Sequence, residues 1–451
     1  MKNTITVLGA GYVGLTTAAL LAHSGYTVFA VEPNPERLKI IKSGKSFFYE
    51  DGLDEIISLA LETGNLIPTD SYEEGIPKSS VVFSCVGTPD NPDGSSNLQY
   101  VFSAAEETAK YAKPGTIYAQ KSTVPVGTGK KIQDIFAKLG TKLEYISNPE
   151  FLREGTAIYD TLFFDRIVVG GDSKVAINAI MDIYMNLEQY REHIAHIARI
   201  PSGQRGDQYI ATTLNSAELI KVTSNAFLAL KISFANSIAL LADKADADVV
   251  EVMNAVGADS RIGKAFLNAG RGYGGGCFPK DVSGLIMSGL EHGVDLDIMQ
   301  AAQDINEFMP GYVVDKLQDT LPDRSLEGKR VAVLGLAFKA GTSDVRRSPG
   351  VSIANKLLHT HADVVTYDPQ ALEEAAEDLL GNVQQAESID EAIKGADATI
   401  IATEWDDFLD YPAVEFAKQM KGKVLFDAVN QYSAVEARNA KLHYVGIGHS
   451  S

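Results

Sequence analysis

Two cysteines in 451 residues are too few for a disulfide framework, and they point to a reducing compartment where both stay as thiols. Positive charge is also in short supply. Forty lysines and arginines face 59 aspartates and glutamates, for a formal net charge of −19, and no basic tract offsets it. That balance argues against nucleic-acid and anionic-membrane partners, so an anionic ligand would need a local group of cations. No apolar run approaches the roughly 20 residues of a membrane span. No charged leader with an apolar core precedes Thr4-Ile5-Thr6-Val7, and a cytoplasmic location is expected. A single core is not expected either, because 451 residues exceed what one core ordinarily serves; two or three domains are predicted.

Near the start, the run 4–8 reads as a strand, followed by Gly9-x-Gly11-x-x-Gly14 and then the helix-compatible stretch 15–22. Tyr12 and Val13 lie inside this motif. Glycines at these positions allow a tight turn, close approach of backbone to a pyrophosphate, and close packing of helix on strand. The next strand, 26–31, ends at Glu32, near the offset at which an acid meets the adenosine ribose hydroxyls. A carboxylate there repels a 2′-phosphate and favours NAD, although the nearby Arg37 could accommodate one. Further apolar runs at 81–86, 116–119, 144–147 and 166–169 alternate with helix-compatible segments, the pattern of a parallel, doubly wound α/β sheet. Ligands sit beyond the carboxyl ends of such strands, and those ends carry Gly87-Thr88-Pro89, Lys121-Ser122-Thr123 and Asn148-Pro149-Glu150. Cys85 falls inside a strand run and is expected to pack as a small buried hydrophobe.

From about residue 206 the pattern changes to long helix. The stretch 217–241 lacks glycine and proline, and Asn215 with Glu218 suggests a capping box. Glu218, Lys221 and Asn225 share one helical face among apolar neighbours, so Lys221 is expected to be buried and to need a partner. After Gly328 the runs 330–338, 363–369, 398–402 and 423–428 echo the first domain, which predicts a second Rossmann-like domain. It lacks the full glycine fingerprint and is assigned to another nucleotide-containing ligand. Phe338-Lys339 with Thr342, Asp344 and Arg346 would supply cations to phosphates. Between these regions lies Gly272-Tyr273-Gly274-Gly275-Gly276-Cys277-Phe278-Pro279-Lys280-Asp281. It places a thiol near a helix N-terminus, where the dipole and Lys280 would favour the thiolate and a covalent sulfur intermediate.

Taken together, GAGYVGL (9–15), VGTP (86–89), KSTVPVG (121–127), NPEFLREG (148–155), AELIKVTSNAFLALKISFAN (217–236), RIG (261–263), GYGGGCFPKD (272–281) and GLAFKAGTSDVRRSP (335–349) resemble the nucleotide-sugar 6-dehydrogenase family, and within it the UDP-glucose branch. The resemblance spans nearly the whole chain. It implies two Rossmann-like doubly wound domains joined by a long central helix with a helical dimerisation region: residues 1–205 for NAD, 206–320 for dimerisation and the cysteine, and 321–451 for the UDP-sugar. The implied reaction oxidises the sugar C6 alcohol to the carboxylate, with two NAD reduced and no metal. Cys277 would be the nucleophile and Lys221 with Asn225 the oxyanion partners. Asp281 would act on water, and Glu150 with Thr123 would relay the first proton. Gly9, Gly11, Tyr12, Val13, Gly14, Glu32, Arg37, Thr88, Thr123, Glu154, Lys280 and Arg346 would line the cofactor. Glu150, Phe151, Leu152, Lys221, Asn225, Phe266, Gly274 and Lys339 would meet the substrate, with Arg261 reaching in from the partner subunit of a homodimer or higher homo-oligomer. GDP-mannose or a UDP-N-acetylhexosamine is the alternative substrate. Three positions depart from the pattern: Val429 stands where an arginine is common, Gly276 where serine or tyrosine is, and Ser237 where glutamate is expected.

Overall fold

The computed structural model describes residues 4–203 and 208–449. The chain forms two compact units, Met1–Ser224 and Asn225–Ser451, and the division falls inside the helix Leu214–Ala245. The domain boundary expected at 205/206 lies outside the described residues.

In the first unit, short runs of β-branched and apolar residues become β1 (Thr4–Leu8), β2 (Thr27–Val31), β3 (Leu66–Thr69), β4 (Val81–Ser84), β5 (Ile117–Gln120), β6 (Glu144–Ser147), β7 (Arg166–Gly171) and β8 (Gln208–Thr212). They form one sheet in the order β3-β2-β1-β4-β5-β6-β7-β8. Both faces are covered, and successive side chains feed different cores: Ile5 and Val7 enter one, Leu8 the other. The sheet is not wholly parallel as expected, because β7 runs antiparallel to β6. After β6 the only helix before β7 is Ala157–Leu162, about 9 Å long, too short to carry the chain back to the amino edge. Two strands went unpredicted. β3 contains Pro68 and sits at the sheet edge. β8 occupies the other edge with partly exposed residues, so long helix does not begin at 206.

In the second unit, β9 (Arg330–Leu334), β10 (Asp363–Tyr367), β12 (Ala398–Ile401) and β13 (Val424–Asp427) form the expected second Rossmann-like sheet, with two unpredicted edge strands, β11 (Gln384–Gln385) and β14 (His443–Gly446). It is parallel throughout, in the order β11-β10-β9-β12-β13-β14. Val331, Val333, Ile400 and Phe426 enter one core, and Ala332, Leu334, Ile401 and Leu425 the other.

Leu214–Ala245 starts one residue after Thr213, whose Oγ1 accepts the Ser216 N–H at 3.3 Å; Thr213, not Asn215, is the cap. By length and composition this helix could cross a membrane, contrary to the expectation that no apolar run comes close. Counting unbroken apolar residues misses it because polar residues are spaced along it. Within the protein, 44% of its most apolar stretch is buried, and Ala235, Ala239 and Ala242 belong to the core of the second unit.

Candidate active site

The glycine turn follows β1, and each glycine has a different reason to lack a side chain. Gly9 has φ +81° and lies against the Cys85 carbonyl. A Cβ on Gly14 would fall 1.8 Å from the Gly9 oxygen. Gly11, the N-cap of the helix Tyr12–His23, has nothing within 4 Å of where its Cβ would be. That open space in front of a helix N-terminus fits a dinucleotide pyrophosphate. Glu32, one residue beyond β2, is buried and accepts the Asn34 N–H at 3.0 Å. Arg37 is exposed, with its guanidinium over the Phe47 ring. Cys85 lies one residue past β4 rather than inside it and packs half-buried against the first core rather than fully buried, and burial pushes its thiol up to about 12.

The loops at the strand ends carry buried polar chemistry. Lys121 donates to Tyr184 Oη at 2.9 Å, and Tyr184 Oη donates to Asn148 Oδ1 at 2.7 Å, which ties the loop after β5 to the loop after β6. Two residues past Asn148, Glu150 is buried, with its Oε1 3.1 Å from Lys221 Nζ. Lys221 is 3% exposed, so the partner it was expected to need is a carboxylate. Phe151 presents its ring to two cations: Arg166 Cζ lies 4.0 Å and Lys221 Nζ 5.3 Å from its centroid. The Leu152 N–H donates back to Glu150. One turn before Lys221, the buried Glu218 carboxylate accepts the Gly127 and Gly129 N–H groups, each at 2.7 Å. It thereby fixes the loop that carries Thr123. Burial pushes Glu218 up to about 7 despite those two donors. Tyr12 donates its hydroxyl to the buried Glu50 and accepts the Gly155 N–H, next to Glu154. Burial, then Glu50, raises the Tyr12 hydroxyl far above its ordinary range.

In the second unit, Cys277 is exposed and N-caps the helix Phe278–Glu291, with Pro279 in its first turn. Asp281, 2% exposed, accepts from Asn225 Nδ2 at 2.6 Å through one oxygen and lies 2.7 Å from Lys280 Nζ through the other. Lys280 is thus engaged with its neighbouring aspartate. The preceding glycines let another loop close onto this turn. A Cβ would fall 2.4 Å from the Arg347 oxygen at Gly274, 2.9 Å from the Phe338 ring at Gly275, and 2.3 Å from Arg346 Cζ at Gly276. The Gly275 N–H donates to the Arg346 oxygen at 2.8 Å. Gly276 is the position where serine or tyrosine was expected, and its missing side chain is the space the Arg346 guanidinium occupies. Arg346 also pairs with Asp344 at 2.6 Å, and Lys339 Nζ lies 5.8 Å from the Phe338 ring. Phe266 holds φ +64°, a strained geometry for an aromatic residue, with its ring 6.0 Å from that of Phe278. Arg261 pairs with Asp259 at 2.5 Å and is 86% exposed.

The second sheet repeats the glycine pairing without the turn. A Cβ on Gly350 would fall 2.3 Å from the Gly335 oxygen, as at Gly14 and Gly9, but 14 residues intervene instead of four. Asp368, one residue beyond β10, stands where Glu32 stands in the first sheet. Its carboxylate accepts from the backbone of Leu336, Ala337, Gln370 and Ala371 and from Trp405. Those donors saturate it, whereas an adenosine ribose needs an acid with capacity to spare. Val429 is buried in the second unit's core. The buried cation at that strand end is Arg271, whose N–H donates to the Ala428 oxygen at 2.8 Å and whose Nη2 donates to the Phe338 oxygen at 2.9 Å. Arg271, Glu50, Tyr184 and Asp368 were not anticipated. Asp368 sits in the run 363–369 at the place Glu32 holds after β2, a signal the sequence carried; for Arg271, Glu50 and Tyr184 only the fold shows them buried and bonded.

Three family models match in chain order: the NAD binding domain (residues 3–188), the central domain (215–308) and the UDP binding domain (332–434) of the UDP-glucose/GDP-mannose dehydrogenase family. The chain is 37% identical over 449 residues to the UDP-glucose 6-dehydrogenase YwqF of Bacillus subtilis, covering 98% of this chain and 97% of that protein. It is 36% identical to a UDP-glucose 6-dehydrogenase of Rickettsia felis over 96% of this chain and 92% of the other. Among solved structures, a UDP-glucose dehydrogenase from the archaeon Pyrobaculum islandicum superposes with TM-score 0.87 at 36% identity, covering 100% of this chain and 98% of that one. The chain is an NAD-binding dehydrogenase and belongs to the UDP-glucose/GDP-mannose dehydrogenase family.

Proposed function

We propose that this protein oxidises UDP-glucose at C6 to UDP-glucuronate through a covalent intermediate on Cys277. The observation that supports this most directly is the buried Asp281 carboxylate, gripped by Asn225 and Lys280 one turn into the helix that the exposed Cys277 caps. NAD, when bound, accepts hydride in both oxidations of C6. Glu150 with Thr123 relays the proton leaving the C6 hydroxyl. Cys277 Sγ then bonds to the aldehyde carbon as a thiohemiacetal and stays bonded as a thioester after the second oxidation. Lys221 and Asn225 stabilise the oxyanion, and Asp281 orients the water whose oxygen displaces Sγ and leaves the acid. Phe151, Leu152, Phe266, Gly274 and Lys339 hold the UDP-sugar, and Thr88, Glu154, Lys280 and Arg346 the cofactor. The three-part division at 205/206 and 320/321, a cytoplasmic location, and a homodimer in which Arg261 crosses to the partner's site complete the reading. Limiting UDP-glucose with excess NAD should yield two NADH per sugar, and Cys277→Ala should abolish the second oxidation. One NADH per sugar would refute the covalent route, and none would move the substrate to another nucleotide sugar.

A further inference from the structure

Glu50 is a buried carboxylate that the proposed chemistry does not use. It is 7% exposed, and its described partners are the Tyr12 hydroxyl and backbone N–H groups. Burying such a charge is costly unless hydrogen bonds replace its water, so its donors show what it is for. One donor is the Tyr12 hydroxyl, from within the glycine turn, and another is the Ile158 N–H at 3.1 Å. Tyr12 in turn accepts the Gly155 N–H, and its ring lies 4.7 Å from that of Phe48, two residues before Glu50. Two side chains therefore bridge the turn at residues 9–14 and the segment 148–158, which begins with Asn148, Pro149 and Glu150. Tyr12 is the first residue of the helix Tyr12–His23, directly after the N-cap Gly11, and its hydroxyl meets Glu50 and the Gly155 N–H. A shift of the turn would have a hydrogen-bonded path to that segment.

We propose that Glu50 and Tyr12 are positioning residues: together they form a strut that transmits NAD binding at the glycine turn to the loop carrying Glu150. The consequence for catalysis rests on the role proposed for Glu150; the strut itself rests only on NAD binding. Tyr12→Phe removes one hydroxyl, keeps the ring on Phe48, and breaks the connection to both Glu50 and Gly155. Glu50→Gln is the second variant, since it keeps the shape but cannot accept every donor. The experiment is amide hydrogen–deuterium exchange on the full chain with and without NADH, with the thermal midpoint checking that each variant folds.

In the wild type, NADH should slow exchange at residues 9–15 and, by about fivefold or more, at Gly155 and Ile158, the lower end of ordinary coupling between sites. In Tyr12→Phe and Glu50→Gln the slowing should persist at 9–15 and fall below about twofold at 155–158. The proposal is overturned if the wild type responds only at 9–15, or if 155–158 still respond in a folded Tyr12→Phe protein. Should the strut behave as expected while UDP-glucose gives no NADH, the substrate reading falls and the strut stands.

Discussion

At the residue scale, the three glycines of the first turn separate folding from ligand binding. Gly9 and Gly14 are required by the protein itself, since a side chain on either meets backbone. Gly11 is not: its φ of −70° and ψ of −165° suit alanine, and no protein atom lies within 4 Å of the added carbon. Gly11→Ala should leave unfolding free energy unchanged or raise it by up to about 1 kcal/mol, because alanine restricts the unfolded chain. In the same variant the KM for NAD should rise about tenfold or more, since a methyl group now stands where backbone must approach the pyrophosphate. Gly14→Ala should instead cost about 3 kcal/mol of stability by overpacking. Urea unfolding and NAD saturation curves on the two variants make the test, and a destabilised Gly11→Ala protein with normal NAD affinity would contradict it.

At the element scale, the first turns of Leu214–Ala245 organise both loops of the first unit, because Glu218 holds 127–129 and Lys221 holds Glu150. Glu218 has a folded value of about 7 against an ordinary 4.5. A folded pKa above the unfolded one gives stability that is fully present below about pH 4.5 and lost as pH rises through about 7, roughly 3 kcal/mol for this shift. Glu218→Gln mimics the protonated form, so its stability relative to the wild type should improve by about 2.5 kcal/mol between pH 5 and pH 8 in denaturant titrations. A pH-independent difference would show that the carboxylate is ionised in both states. The shared face of Glu218, Lys221 and Asn225 was legible because helical spacing alone sets it. So were the motif strands, whose apolar runs are bounded by glycine turns. The antiparallel β7 was not, because local periodicity carries no strand direction. The edge strands β3 and β8 lacked the apolar density of central ones. The cap was misplaced at Asn215, because threonine and asparagine both cap well and only the observed start of the helix at Leu214 singles out Thr213. Within the site, motif residues were legible, but Glu50, Tyr184 and Asp368 act through contacts 30 or more residues away.

At the scale of the whole molecule, one surface is left to account for. Leu219, Phe227, Phe234 and Leu241 are 45%, 58%, 48% and 62% exposed, and they recur at intervals of eight, seven and seven along one helix. At about 100° per residue they form a stripe on the side opposite Glu218, Lys221 and Asn225. Four large apolar side chains in line are more than the scattered exposure ordinary for a surface, and aromatic residues are enriched where proteins associate. A second copy of the helix, with its matching stripe, is the occupant that the proposed homodimer supplies. The exposed Arg261, which is to complete the partner's site, lies in the same unit as three of the four stripe residues. Loss of the dimer should therefore cost activity as well as mass. Phe227→Asp with Phe234→Asp should halve the sedimenting mass and depress NADH production most at low protein concentration, with partial recovery as concentration rises. A wild type that sediments as a monomer while fully active would remove both the dimer and the crossing role of Arg261.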